Sequence, residues 1–130
     1  MTSLITSIEQ AGEGSLALDI ELMTLLGGAR DVGDGVYYGP NNETWHTSDA
    51  AENEGCWMLP APSRSLDAAL ALAERVLKPP YTGPITLTIA GSGVAYIDHS
   101  NPCRMGVQAF GNTPALALCL AVLRATQKTT

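Results

Sequence analysis

The chain is short of the residues that mark several classes of protein. Its 130 residues include 3 cysteines, Cys56, Cys103 and Cys119, too few and too odd in number for a disulfide scaffold. Basic residues are scarce as well. With 7 Lys and Arg against 13 Asp and Glu, the net charge is −6, which repels phosphate backbones and argues against general nucleic-acid or anionic-membrane binding. No apolar run reaches the roughly 18 residues that a bilayer span needs. The opening MTSLITSIEQ has neither a basic nor an apolar leader region, so reduced thiols in a cytoplasm are expected, and Asn42-Glu43-Thr44 is then a chance match to a glycosylation acceptor. Neither a Walker loop nor a Gly-x-Gly-x-x-Gly turn occurs, and AGSGVA lacks the Gly-x-Ser-x-Gly spacing of a nucleophile elbow.

What the sequence does contain is unevenly placed. Asp31, Asp34, Glu43, Asp49, Glu52 and Glu54 fall between positions 31 and 54 with no Lys or Arg among them, so the acidity belongs to one segment. At the other extreme, 10 residues from Pro114 to Leu123 carry no charged or amide side chain. A chain of this length can bury roughly two-thirds of its unfolded surface, so one domain with one core is expected.

Helical spacing of Leu4, Ile5 and Ile8 predicts a first helix over about 3–11, stopped by Gly12 and Gly14. Ser15 is the expected N-cap of a second helix in which Leu18, Leu22 and Leu25 face inward and Asp19 and Glu21 do not, with Gly27-Gly28 as its stop. The two helices should form a hairpin. Between Ala29 and Trp57 glycine, proline and asparagine interrupt every period, so this segment reads as a polar loop with at best two short strands in GVYYG and ETWHT. Ser65 should cap a third helix, SLDAALALAERVLK, with Asp67 favourably placed against its dipole. Alternation in ITLTIAGSGVAYID predicts a β-hairpin, with MGVQAFG as a third strand. Thr113 and Pro114 then announce a final helix. Apolar all round, that helix must be covered on more than one side, by the sheet and by other helices. The fold class expected is α+β, a layered α/β/α sandwich with an N-terminal helical hairpin, a short antiparallel sheet and a buried C-terminal helix.

Several groups of residues invite a chemical reading. His46, Cys56, His99 and Cys103 are zinc-binding types, yet they lack two close-spaced pairs, and the alternative is surface histidines and ordinary thiols. Asp98-His99-Ser100 holds the residue types of a hydrolase triad, but consecutive strand side chains point to opposite faces. Cys119, in the apolar helix, should be a buried, unreactive thiol. Tyr37, Tyr38, Trp45 and Trp57 crowd into the acidic segment. They either form a recognition surface or anchor a long loop to the domain.

Taken together, the glycine-stopped helix pair, SRSLDAALALAERV, the strands and AFGNTPALALCLAVLRA resemble the phage ABA sandwich domain family, small proteins of tailed phages and prophages. The likeness runs from about Leu4 to Ala125, and its specific phrases are SLDAAL at Ser65–Leu70 and TPALALC at Thr113–Cys119. Being core-helix phrases, they imply a fold and a phage setting, in the cytoplasm of an infected bacterial host, and no catalytic residues. The segment between Ala29 and Trp57 departs from the common pattern and is where individual function is expected. Three functions follow. A non-enzymatic inhibitor would meet a basic surface of a host defence protein through Tyr37, Tyr38, Trp45, His46 and Trp57. A sponge would sequester a nucleotide signal, in a pocket that a homo-oligomer can build between subunits, with Tyr37, Tyr38 or Trp45 stacking the base and Arg30, Arg104 or Arg64 on phosphate. A metal-assisted hydrolase would use the His/Cys set. No cofactor is implied by the first two.

Overall fold

The structure, a computed structural model, describes residues 2–33, 35–47, 57–77, 85–88, 93–98 and 106–128. Its N-terminal pair is α1 (Thr2–Gln10) and α2 (Leu16–Leu25). The Ser15 hydroxyl accepts the Leu18 N–H at 3.3 Å, satisfying one of the donors a helix start leaves free. α2 stops just ahead of Gly28, whose φ of +77° suits glycine alone at little cost. The face expected of α2 needs correcting at two positions. Leu18 and Leu22 are buried, but Leu25 is 46% exposed and Asp19 is completely buried.

α3 (Leu66–Val76) is capped by Ser65, which accepts the Ala68 N–H at 3.3 Å. α4 (Pro114–Lys128) is capped by Thr113, whose hydroxyl accepts the Leu116 N–H at 3.1 Å. Every residue from Leu116 to Leu123 is at most 1% exposed. The partners that cover them are the expected ones. β5 (Ile85–Thr88), β6 (Gly93–Ile97) and β7 (Val107–Gly111) form an antiparallel sheet in that order, and α4 lies across β6 and β7 while α3 and α1 pack on its other sides.

The α+β layering is thus observed, with the C-terminal helix as the middle layer between sheet and helices. Alternate residues Ala95, Ile97, Val107 and Ala109 face it and are at most 3% exposed. Gly93 and Gly111, opposite each other in register, set how closely it approaches. A methyl group on Gly93 would come 2.5 Å from Pro114 Cα, and one on Gly111 would come 2.5 Å from Ala117 N. The turn between β5 and β6, with Gly91, lies outside the described residues.

The segment read as mostly loop carries a second sheet. β1 (Arg30–Gly33), β2 (Val36–Tyr38), β3 (Thr44–His46) and β4 (Trp57–Met58) pair in sequence order, the first three antiparallel and β4 parallel to β3. β2 and β3 are the two strands anticipated, whereas β1 and β4 are not. One hydrophobic cluster draws on all four helices and both sheets, from Leu4 to Ala125. Among the described residues no helix is long and apolar enough to cross a membrane.

Candidate functional site

Strand register sorts the aromatic residues of the acidic segment onto two faces. Arg30 stands opposite Tyr38, and Tyr38 opposite Thr44, so these three side chains form one row across β1, β2 and β3. Asp31, Tyr37 and Trp45 form the adjacent row on the other face. The second row turns inward at Trp45, which is 4% exposed, and at Tyr37, which packs partly buried against the core, while Asp31 on the edge strand stays exposed. The first row turns to solvent. Tyr38 is 44% exposed, and with Arg30, Gly39, Asn42, Glu43 and Thr44 it lines a concavity of about 240 Å³.

The turn from β2 to β3 shapes this concavity. Gly39 N–H donates to the Glu43 carbonyl at 2.8 Å, and Asn42 takes φ +64°, a left-handed conformation that asparagine tolerates better than most residues. Glu43 is held on both oxygens. Its Oε1 accepts the Asn41 N–H at 3.0 Å, and Oε2 lies 3.7 Å from Nη1 of Arg75 on α3. Asp31 accepts the Gly33 N–H at 2.9 Å.

The residues singled out in the sequence therefore divide. Arg30 and Tyr38 come together on the solvent face; His46, opposite Val36, is half-buried at the other end of the same face. Of the two readings open for Trp45, recognition surface or loop anchor, its burial fits the anchor, and Tyr37 goes partly with it, because strand alternation sends neighbouring side chains to opposite faces. Trp57 stands opposite Trp45 in the parallel register of β3 and β4. Cys56, His99, Cys103 and Arg104 lie outside the described residues. Among the described residues no three His, Cys, Asp or Glu side chains cluster closely enough to hold a metal ion.

Sequence reasoning missed a polar latch beneath α2. Asp19 Oδ1 accepts the Ser63 N–H at 2.8 Å and the Ser63 hydroxyl at 2.6 Å, while Oδ2 accepts Nε of Arg64 at 2.6 Å. Ser63 Oγ in turn accepts the Ser15 N–H at 3.1 Å. A buried carboxylate survives because these partners replace its water. They come from 44 and 45 residues away, beyond the reach of any local pattern. Beside the latch, Cys119 donates to the Pro62 carbonyl at 3.2 Å. Burial, helped by the nearby Asp19 charge, pushes its thiol from 9.0 up to about 12, as expected of an unreactive core cysteine.

A larger cavity of about 430 Å³ opens over the latch, lined by Glu13, Ser63, Arg64, Leu66 and Thr113 among others. Three of its polar side chains are spent on structure: Arg64 and Ser63 hold Asp19, and Thr113 caps α4. The Arg30–Tyr38 concavity is different in that its arginine and phenol make no hydrogen bond or ion pair with another described residue. Set against family models, curated proteins and solved structures, the chain finds no match in any of the three.

Proposed function

We propose that the chain is a non-enzymatic binding protein that attaches to a host component, most directly an inhibitor of a host protein, and that its recognition surface is the solvent face of the β1–β2–β3 sheet. The carrying observation is the row Arg30–Tyr38–Thr44, with Tyr38 44% exposed and Val32, on the edge strand β1, 47% exposed. Exposed tyrosine and arginine are the residue types that dominate interface energies. The acidic residues from Asp31 to Glu54 would favour a partner with a basic rim and speed its approach. A phage setting, in the cytoplasm of an infected bacterium, is suggested by the SLDAAL and TPALALC phrases.

Sequestration of a nucleotide signal is the second reading, favoured by one observation, the pairing of Tyr38 with Arg30 across β1 and β2. The concavity of about 240 Å³ ranks it second, since ligand sites that enclose a small molecule run upward from about 300 Å³. Capture from a host lysate with the wild-type chain and with Tyr38→Ala, at low and high salt, tests the first reading. A protein retained by the wild type, released by salt and lost with Tyr38→Ala supports it. A protein retained equally by both chains removes the sheet face from the interface.

A further inference from the structure

Arginines are few here, and the structure accounts for nearly all of those it describes. Arg64 pairs with Asp19 at 2.6 Å, Arg75 with Glu43 at 3.7 Å and Arg124 with Glu9 at 3.4 Å. Arg30 is the one described arginine without a carboxylate among the described residues. It is also the one at the concavity beside an exposed aromatic ring. The carboxylate nearest to hand, Glu43, is already committed to Arg75 and to the Asn41 N–H, and Asp31, next in sequence, projects from the opposite face of the strand and accepts the Gly33 N–H. Among the described residues the concavity is thus lined by one guanidinium, Arg30, and one carboxylate, Glu43, whose charge Arg75 offsets, on a protein of net charge −6.

We infer that this concavity binds a single oxyanion head group, phosphoryl or carboxylate, of the component that the sheet face recognises. The inference rests on the sheet face being the recognition surface. A guanidinium offers five donors in a planar fork that suits such a group, and an oxyanion held by it makes shorter, stronger hydrogen bonds than a neutral acceptor. The concavity is also lined by Tyr38, Thr44 and Asn42, residues whose phenol, hydroxyl and amide groups can donate to oxygen. Tyr38, directly opposite Arg30, brings its ring within stacking reach of whatever carries the head group. A space of about 240 Å³ takes a phosphoryl or carboxylate group and leaves the rest of the ligand lying along the sheet. On a chain of net charge −6, one such cationic socket would also set the register of a partner that the overall charge attracts only diffusely.

The test titrates the full chain with three probes, inorganic phosphate, adenosine monophosphate and N-acetylglutamate, at low ionic strength, following the Arg30 Nε–H and the backbone amides of Tyr38, Asn42 and Thr44 by nitrogen-15 NMR. Saturable shifts confined to these positions are expected with at least one probe, weakened about tenfold or more in Arg30→Gln and partly restored in Arg30→Lys. Arg124→Gln, a distant arginine already paired, should bind as the wild type does. Adenosine monophosphate ahead of phosphate would identify a nucleotide as the source of the oxyanion; N-acetylglutamate ahead of both would identify an acidic side chain. No saturable shift with any probe, or shifts unchanged in Arg30→Gln, overturns the inference. If that happens while Tyr38→Ala still abolishes partner capture, the recognition surface stands and only its oxyanion socket falls. Oxyanion binding that depends on Arg30, with capture indifferent to Tyr38, would fail the other way.

Discussion

The two sheets of this protein are stabilised by different means. The β5–β6–β7 sheet has one face shut against α4, with Ala95, Ile97 and Ala109 fully buried along it. β6 and β7 alternate between buried and more exposed side chains. The β1–β4 sheet has strands of only 2 to 4 residues, an outer strand exposed along its length, and Trp45 as a buried anchor. The first sheet is built to hold a core, while the second turns Arg30 and Tyr38 to solvent. Recognition surfaces commonly sit on such loosely held elements, carried by a scaffold that does not depend on them.

The largest effect should come from the scaffold side. Leu118 is fully buried in α4, so Leu118→Asp would place a charge among apolar neighbours with no partner, at a cost of about 5 kcal/mol, comparable with the whole stability of a small domain. Circular dichroism should show the variant unfolded at room temperature. Next comes Trp45→Ala, expected to cost about 3–4 kcal/mol by the loss of a buried indole. Hydrogen exchange then decides whether the comparison holds. Protection lost in β2 and β3 but kept in β6 and β7 would make the two sheets separate units of stability; loss in all four strands together would break the distinction.

That asymmetry also governs how much was legible beforehand. Caps, stops and periodicity are local, and Ser15, Ser65, Thr113 and Pro114 announced their helices for reasons that lie within four residues of each cap. The all-round apolarity of Pro114–Leu123 required a covering sheet and helices, and it has both. In Arg30–Met58 the strands are too short for alternation to rise above the glycine and asparagine between them. Tyr37 and Tyr38 are adjacent, so composition alone grouped two residues that the pleat sends to opposite faces. Burial of Asp19 was illegible for a further reason, since its cost is met by Ser63 and Arg64 from another turn of the chain.

A subtler difference should appear in alkali. With the Cys119 thiol raised from 9.0 to about 12, chiefly by burial and secondarily by the Asp19 charge, the folded chain keeps a proton that the unfolded chain gives up. Its contribution is therefore fully present below about pH 9 and declines as pH rises toward 12, by at most about 1.4 kcal/mol per pH unit. Comparing urea midpoints of the wild type and Cys119→Ala from pH 8 to pH 10.5 isolates it. The wild type should lose stability more steeply above pH 9, and parallel slopes would show that the thiol is not shut into the core. A thiol reagent at pH 8 should correspondingly leave Cys119 unmodified until the protein unfolds.

The smallest change in stability belongs to the residue on which the functional reading depends. Tyr38 is 44% exposed and its row faces solvent, so Tyr38→Ala removes little buried area and at most a cross-strand contact, about 0.5 kcal/mol. Its urea midpoint should nearly coincide with that of the wild type, while capture of the host partner is lost. A scaffold residue cannot behave in this way, because truncating Trp45 or charging Leu118 removes function only by removing structure. If Tyr38→Ala instead costs 2 kcal/mol or more, the ring is holding β2 in place, and its exposed face is incidental to an anchoring role like that of Trp45. A near-neutral midpoint with capture lost would separate the two sheets by purpose as well as by packing.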